Sequence, residues 1–241
     1  MTSGASPDKR GRHSARVERI FDHNGDTRSM FISSDGGKPL KFVPGQFISM
    51  SIPLGDETRS RAYSIASSSD EPGPLEICFN RVPDGRGVEW LFNRTVGDPI
   101  EFTGPFGTFT LGNAPEAETV FIAEGTAIAP IRPMLKRARA GPAHPKMQLL
   151  YGASDEAHIL YREEFATMVQ ANSNLSFDTI IAPGDSLYDR LCEIADTRWI
   201  KSDSDRTRNF YLCGIGAGVI RLRDRLRAAG YDRRAVHYEK W

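Results

Sequence analysis

Hydrophobic and polar positions follow two different patterns along the 241-residue chain. From residue 15 to residue 111, short segments of strand type such as RAYSIAS and PLEICFNRV are separated by turn signals, including Asn24-Gly25-Asp26 and Pro44-Gly45. Strands at this spacing predict a small antiparallel barrel or sandwich. From Glu118 onward, apolar runs alternate with helical stretches, which is typical of parallel βα units. The sequence therefore predicts two domains, residues 15–112 and residues 117–241, joined by a short, turn-rich seam.

Composition narrows the classes of protein to which the chain can belong. Lys and Arg number 31, as do Asp and Glu, so no overall charge favours nucleic acid or an anionic membrane. Apolar runs fall short of the roughly 20 residues that a membrane span needs, and the polar start predicts a disordered tail over residues 1–14. The cysteines Cys78, Cys192 and Cys213 lack the spacing of a disulfide framework or a metal site. We expect a soluble, cytoplasmic protein without a bound metal.

Arg61-Ala62-Tyr63-Ser64 is the first candidate for ligand binding. The Arg61 guanidinium offers a planar fork of donors suited to phosphate. Tyr63 shares a strand face with Arg61, so its ring could lie against a flat ligand. Further along, the glycines of Pro83-Asp84-Gly85-Arg86-Gly87 precede a short helical segment, whose free N–H groups would suit a pyrophosphate. An ordinary strand with a surface arginine, and a plain hairpin turn, are the alternative interpretations.

The first strand–helix turn of the second domain is another candidate. An apolar strand runs into Gly125-Thr126, and a helix with Pro130 in its first turn is predicted to begin near Ile128. At the first βα turn of an open parallel sheet, the usual ligand is a nucleotide phosphate. The Gly-x-Gly-x-x-Gly fingerprint is absent, so this turn by itself only suggests nucleotide binding.

Seven motifs in order along the chain resemble those of the ferredoxin-NADP reductase superfamily: RAYSIASSS, the Pro-Asp-Gly-Arg-Gly loop, GPFGTF, GTAIAPIRPML, LLYGAS with ILYREEF, FYLCG and the terminal EKW. The resemblance extends from about residue 15 to the last residue. It implies an antiparallel six-stranded FAD-binding β-barrel followed by a five-stranded parallel-sheet nicotinamide nucleotide domain, with the active site between them. It also implies hydride transfer from NADH or NADPH to FAD, which then passes electrons onward.

The resemblance further implies roles for individual residues. Ser64, Cys213 and Glu239 match residues near the flavin nitrogen and the nicotinamide, and are the expected catalytic residues, although Cys213 also fits a small core residue. Trp241 matches the terminal aromatic residue that stacks on the flavin and must yield to nicotinamide. Ser64 and Trp241 are also expected to bind cofactor. The other expected cofactor-binding residues are Arg61, Ala62, Tyr63, Cys78, Phe79, Asn80, Arg86, Gly87, Val88, Gly125, Thr126, Ser154 and Gly214.

Two residues depart from the family pattern. Val88 stands where relatives usually have serine, and Ala127 stands at the second glycine of Gly-Thr-Gly. The first departure would remove a hydrogen bond to phosphate, and the second could limit how closely the nucleotide pyrophosphate approaches. These departures are the only support for an alternative, a redox-silent subunit that binds flavin or nucleotide without catalysis.

The choice between NADH and NADPH depends on residues that follow the second and third strands of the nucleotide domain. Asp155 after LLYGAS and Asp185 after the third strand would favour a ribose hydroxyl over a 2′-phosphate. The sequence therefore predicts NADH. NADPH remains the alternative because Ser154, Tyr161 and Arg162 lie where NADPH-using relatives can bind phosphate.

The electron acceptor is predicted to be a separate molecule. Three scattered cysteines cannot supply the cluster motif of a fused plant-type iron–sulfur domain. The predicted acceptor is a ferredoxin, flavodoxin or oxygenase component, with a free flavin or quinone reductase on the same scaffold as the alternative. Two basic helices could steer an acidic carrier, although solvated helix faces explain them as well. Their cations are Arg132, Lys136, Arg137 and Arg139 on one helix and Arg221, Arg223, Arg225 and Arg227 on the other.

Overall fold

One antiparallel and one parallel sheet make up the computed structural model, which describes residues 11–140, 145–184, 186–202 and 204–241. The first domain contains β1 (Arg12–Asp22), β2 (Thr27–Ser34), β3 (Phe47–Leu54), β4 (Glu57–Ser64), β5 (Leu75–Asn80), α1 (Arg86–Phe92) and β6 (Pro99–Phe106). The second contains β7 (Thr119–Glu124), α2 (Ile128–Arg139), β8 (Met147–Ala153), α3 (Arg162–Gln170), β9 (Leu175–Ile181), α4 (Ser186–Ala195), β10 (Asn209–Gly214), α5 (Gly218–Ala228) and β11 (Val236–Lys240).

The antiparallel strands are ordered β4–β3–β6–β1–β2–β5, and the sheet curls until its edges meet. Just beyond β4, Ile65 bridges Ile77 of β5, and the Ala66 N–H donates to the Glu76 carbonyl at 2.8 Å. Every second side chain of a strand faces the inside of the barrel. On β3 these buried side chains are Ile48, Met50 and Ile52. The predicted six-stranded antiparallel barrel is confirmed.

The first strand begins earlier than the sequence predicted. Residues 1–10 of the predicted tail lie outside the described residues, but Arg12 and Ser14 belong to β1 and pair with Thr103 and Glu101 of β6. Their side chains are polar, so the hydrophobic pattern gave no sign of this pairing. Backbone hydrogen bonding to β6 extends the strand in spite of its polar sequence.

The parallel sheet has the order β11–β10–β7–β8–β9, with α2 and α3 on one face and α4 and α5 on the other. The five-stranded sheet is confirmed, and α2 begins at Ile128 as predicted, with Pro130 in its first turn. The central strands β7, β8 and β10 are buried on both faces, which explains their nearly continuous apolar sequence. Among the described residues, no helix combines the length and the apolar character needed to cross a membrane.

The two domains pack directly against each other. Cys78 of β5, and Phe109 and Leu111 of the connecting segment, are buried in the same apolar cluster as Met134 of α2. Gly45 shows how close this packing is: its φ is 100°, and a Cβ there would lie 2.0 Å from the Phe109 carbonyl oxygen and 2.3 Å from the Met134 methyl. The walls of the interdomain cleft therefore rest on a shared core.

Candidate active site

A cleft of about 500 Å³ lies between the barrel and the nucleotide domain. It is lined by parts of β4 and β5, the loop before α1, the turn after β7 and the end of the chain. Its volume lies in the range usual for small-molecule sites. The predicted site residues that line it are Arg61, Ala62, Tyr63, Cys78, Phe79, Asn80, Arg86, Gly87, Val88, Thr126 and Trp241.

One wall of the cleft is the exposed face of β4. Glu57, Arg59, Arg61 and Tyr63 all line it, because residues two apart on a strand face the same side. Sequence analysis missed Glu57 and Arg59, although the same alternation that linked Arg61 to Tyr63 would have found them. Arg59 forms an ion pair with Glu57 at 2.9 Å. The β4 wall is therefore cationic beside Arg61 and aromatic at Tyr63.

Arg61 lies beside the first turn of α1. A Cβ built on Gly87 would be 3.7 Å from Arg61 Cγ and 3.8 Å from its Nε, and Arg86 lines the same space. The first N–H groups of a helix have no intrahelical partner and favour an anion. A guanidinium, these N–H groups and a second arginine therefore surround one part of the cleft, which suits a pyrophosphate.

The remainder of the barrel wall is apolar. The rings of Tyr63 and Phe79 meet edge to face with centroids 5.9 Å apart. Burial raises the pKa of Tyr63 to about 12, with the Arg61 charge opposing the change, so the phenol stays protonated. Val88 is 7% exposed and packs in the barrel core. A flat apolar ring system fits this surface, and the other apolar lining residues are Leu54, Val82 and Ile215.

Trp241 closes the side of the cleft that belongs to the nucleotide domain. Its N–H donates to the Gly214 carbonyl at 3.0 Å, and its carbonyl accepts from the Gly216 N–H at 3.2 Å. The indole Nε1 donates to Glu239 at 3.3 Å, and the residue is 39% exposed. The backbone of Trp241 is thus attached on both sides, so its ring can leave by side-chain rotation without release of the chain.

Cys213 and Glu239 stand opposite each other on the parallel strands β10 and β11. Burial raises the pKa of the Cys213 thiol well above its usual value, with the charges of Glu239 and Glu124 adding to the effect. Burial also raises the pKa of Glu239, while the indole of Trp241 lowers it. Cys213 is therefore a protonated, buried thiol rather than a nucleophile. Neither residue lines the cleft directly, and neither does Ser64, which is 4% exposed at the end of β4.

A hydrogen-bonded pair missed by sequence analysis supports the loop after β10. Glu124 Oε2 accepts from the Tyr188 hydroxyl at 2.6 Å and from the Ile215 N–H at 3.1 Å. A Cβ on Gly214 would lie only 1.9 Å from the Tyr188 hydroxyl oxygen. Gly214 is thus needed for close approach of Tyr188, and it is not among the residues that line the cleft.

Gly214→Ala is expected to lower the free energy of unfolding by about 1–3 kcal/mol, because the new methyl group overlaps the Tyr188 hydroxyl. Tyr188→Phe removes that hydroxyl and leaves the nearest ring carbon 3.1 Å from the methyl position. The double variant should therefore be more stable than the sum of the two single effects. Urea unfolding of the four proteins measures this coupling, and strictly additive effects would contradict it.

The turn after β7 joins the two halves of the site. Gly125 adopts a φ of 51°, and Thr126 Oγ1 donates to Asn80 Oδ1 of β5 at 3.0 Å. Ala127, which stands at the second glycine of the family pattern, does not line the cleft. Ala127 is fully buried in the apolar cluster with Ile128, so its methyl group belongs to the core rather than to the cleft.

Ser154 lies outside the cleft, on the surface beyond β8, and its hydroxyl donates to Asp155 at 3.1 Å. Asp155 accepts from the Ala157 and His158 N–H groups and caps the single turn Glu156–His158. Arg162 forms an ion pair with Glu156 in this segment. Asp185, the second predicted acid, lies outside the described residues.

Three of the four α2 cations for which a steering role was considered form ion pairs with the barrel. Arg132 pairs with Glu76 at 2.6 Å, and Lys136 pairs with Glu71 at 3.1 Å. Arg137 likewise contacts Asp70 of the barrel at 2.5 Å. The phase of α2 turns these side chains toward the first domain, where each meets a carboxylate of the barrel. On α5 the ion pairs are Arg221–Asp189, Arg223–Asp224 and Arg225–Asp196.

Family comparisons define the class of protein that this fold and cleft represent. Residues 15–111 match the family model described as an oxidoreductase FAD-binding domain, and residues 121–221 match an oxidoreductase NAD-binding domain. The chain is therefore an NAD(P)H-dependent flavoprotein oxidoreductase, with FAD and NADH or NADPH as its cofactors.

Individual relatives support a narrower assignment. The chain is 26% identical over 240 residues to ferredoxin--NADP reductase B of Sorangium cellulosum, covering 94% of this chain and 96% of that protein. It is 27% identical over 231 residues to the toluate 1,2-dioxygenase electron transfer component of Pseudomonas putida, covering 95% of this chain and 67% of that one. The crystal structure of the Amycolatopsis cytochrome P450 reductase GcoB matches with a TM-score of 0.81 at 26% identity, covering 95% and 69%. The chain belongs to the ferredoxin-NADP reductase superfamily, as the sequence motifs predicted.

Proposed function

We propose that this protein takes hydride from a nicotinamide nucleotide in the interdomain cleft and passes the electrons to a separate carrier protein. The observation that carries the proposal is the composition of one cleft. Arg61 and Tyr63 of the barrel, Thr126 of the nucleotide domain and the terminal Trp241 all line it. The cationic part of the cleft suits the phosphates of a dinucleotide, and the apolar aromatic part beside it suits a flat ring.

In this proposal each domain binds one of the two cofactors. Residues 15–112 would hold FAD, with Arg61, Arg86 and the first turn of α1 at the pyrophosphate and Tyr63 against the ring. Residues 117–241 would hold the nicotinamide nucleotide beside Gly125 and Thr126. Bound flavin supplies the ability to accept a hydride and to release electrons one or two at a time.

The catalytic residues have supporting rather than covalent roles in this proposal. The hydroxyl of Ser64, at the end of β4, would donate a hydrogen bond near the flavin. The buried Cys213 would fill space beneath the nicotinamide, and Glu239 would orient it and the indole of Trp241. The principal contribution of all three is alignment in a site with little water.

The proposed acceptor is an iron–sulfur carrier or an oxygenase component. The supporting observation comes from relatives. One is called a ferredoxin--NADP reductase, and others are called electron transfer or reductase components of a toluate dioxygenase and a glycine betaine monooxygenase. The chain spans 67% and 64% of these two oxygenase components.

Anaerobic reduction followed by a screen of carriers tests the proposed function. Protein loaded with FAD should lose its yellow colour when NADH or NADPH is added, and should regain it when an oxidised ferredoxin is added. Faster reoxidation by free FMN or a quinone than by any carrier protein would favour a free flavin or quinone reductase. Flavin that stays yellow with both nucleotides would end the proposal and favour a redox-silent subunit.

We also propose NADH as the donor. The Asp155 carboxylate after β8 suits a ribose hydroxyl and repels a 2′-phosphate. Tyr161, one of the residues considered for binding the 2′-phosphate, is turned into the domain interface by its hydrogen bond to Glu76.

The kcat/KM for NADH is expected to exceed that for NADPH about tenfold or more, since like charges at a binding site are costly. Asp155→Asn keeps the capping oxygen and should narrow the preference, whereas Glu163→Gln on the exposed start of α3 should not. A higher kcat/KM for NADPH would reverse the assignment.

A cytoplasmic location is proposed from the cysteines. Cys78, Cys192 and Cys213 are all free and buried, which suits a reducing compartment. Fractionation of cells that produce the protein would test this location.

A further inference from the structure

A buried polar cluster joins the two domains at β5. Its centre is Glu76, which is 3% exposed. One carboxylate oxygen accepts hydrogen bonds from Ser29 at 2.7 Å and from the Tyr161 hydroxyl at 2.8 Å. The other accepts from Arg132 at 2.6 Å. Ser29 and Glu76 belong to the barrel, whereas Tyr161 and Arg132 belong to the nucleotide domain.

The Arg132 guanidinium is held on several sides. It donates to the Ala66 carbonyl and to Glu164, both at 2.8 Å, and its central carbon lies 4.3 Å from the centre of the Tyr161 ring. Burial lowers the pKa of Arg132, but the negative charges of Glu76 and Glu164 raise it more, so the side chain remains charged. The Glu76–Arg132 ion pair is therefore largely buried, with the two side chains 4% and 12% exposed.

One face of β5 connects this cluster to the cleft. Side chains at 76, 78 and 80 face the same side, because directions alternate along a strand. Cys78 is buried in the core cluster that includes α2. Asn80 lines the cleft and accepts the hydrogen bond from Thr126 of the nucleotide turn. A shift of one domain relative to the other at Glu76 would therefore also move Asn80 relative to Thr126.

A buried ion pair adds little net stability to an interface. Removal of two charges from water offsets most of their attraction, and apolar residues of similar volume are often as stable. The pair does restrict geometry, since a domain orientation that separates Glu76 from Arg132 leaves the buried Glu76 carboxylate without its cationic partner, while Arg132 keeps Glu164. The cluster therefore selects one orientation of the nucleotide domain on the barrel.

We propose that Glu76 is a positioning residue for hydride transfer, acting with Arg132 and Tyr161 to set the orientation in which the nicotinamide meets the flavin. The proposal rests on the function given above. Glu76 does not line the cleft, so it acts through the domain orientation and not by contact with a cofactor. Small errors in such an alignment are costly, since a 1 Å misplacement can slow a reaction about 100-fold.

Glu76→Gln tests the proposal because it keeps the shape of the side chain and removes its charge. In FAD-loaded protein at saturating NADH, the first-order rate of flavin bleaching is expected to fall about 10- to 100-fold. The affinity for FAD should be unchanged. A second readout is the distance between spin labels on Thr95→Cys in the barrel and Glu193→Cys on α4, both exposed positions, while the native cysteines are buried. The distribution of this distance should broaden.

Glu71→Gln is the matched control. Glu71 also pairs with α2, through Lys136, but its carboxylate is 60% exposed, so this pair contributes little. Its bleaching rate and label distances should equal those of the parent protein. A Glu76→Gln protein that bleaches at the parent rate, or that keeps the parent distance distribution, would overturn the positioning role.

Tyr161→Phe provides a second variant if Glu76→Gln fails to fold, because it removes only the hydroxyl that donates to Glu76. Its bleaching rate should fall about fivefold, the factor that corresponds to one typical hydrogen bond, because Ser29 and Arg132 still bind Glu76, and an unchanged rate would reject the proposal. The parent protein separates the two hypotheses. Parent flavin that is not bleached by either nucleotide ends the proposed function, whereas equal bleaching of parent and variant ends only the role of Glu76.

Discussion

Arg61→Met is expected to yield a nearly colourless protein, with the dissociation constant for FAD raised about 100-fold or more. Methionine keeps most of the length of the side chain but removes the guanidinium, which can make two charge-assisted hydrogen bonds to a pyrophosphate. Arg61 lies against Gly87 at the start of α1, so its guanidinium would contact the same pyrophosphate as the first N–H groups of the helix. The ratio of flavin to protein absorbance after purification, followed by FAD titration of the apoprotein, measures the effect.

Two further variants control for the loss of positive charge. Arg12→Met removes a barrel arginine that pairs with Glu101 outside the cleft, and it should keep its colour. Arg59→Met should weaken FAD binding less than Arg61→Met, because Glu57 already neutralises Arg59. Equal FAD affinity in the Arg61 and Arg12 variants would show that the cationic part of the cleft does not hold the pyrophosphate.

Replacing Trp241 with alanine should lower the dissociation constant for the nicotinamide nucleotide about tenfold and raise flavin fluorescence. The indole lines the cleft, and in FAD-loaded protein it would stack on the flavin and would have to rotate away before a nicotinamide ring can take its place. Alanine removes that competition while its backbone still bonds to Gly214 and Gly216. Nucleotide titration and flavin emission measure the two effects.

Deletion of Trp241 separates the side chain from the backbone. The deletion also removes both backbone hydrogen bonds to the loop after β10. Its effect on nucleotide binding should exceed that of the alanine substitution only if these hydrogen bonds hold the loop in place. Tyr238→Ala is the control, since Tyr238 is an exposed aromatic residue near the terminus that does not line the cleft. Unchanged fluorescence and nucleotide affinity in both Trp241 variants would reject the stacking role.

Local signals were sufficient for most elements of the fold, although they missed the polar start of β1. The turn Gly125-Thr126 and the start of α2 at Ile128 were predicted from an apolar strand followed by Pro130, because these features act within a few residues of each other. Strand alternation predicted that Arg61 and Tyr63 share one face of β4. The same alternation would also have placed Glu57 and Arg59 on that face. Within elements, periodicity places side chains relative to their own backbone.

Contacts between elements were the source of the errors. Arg132, Lys136 and Arg137 were interpreted either as a surface that steers a carrier or as a solvated helix face, yet each pairs with a carboxylate of the barrel. Arg132 and Glu76 are 56 residues apart in the chain. Helical periodicity shows which residues share a face of α2 but not which neighbour that face meets.

Hydrophobic pattern and motif order, read from the sequence by itself, determined the two domains, the class of reductase and most residues that line the cleft. Tertiary structure alone decided that Ala127 belongs to the core, that Glu124 and Tyr188 support the loop beside Trp241, and that Glu76 binds across the domains. The physical reason is the range of each effect. Strand and helix formation depend on neighbours in the chain, whereas the pairing of buried charges depends on how finished elements pack in space.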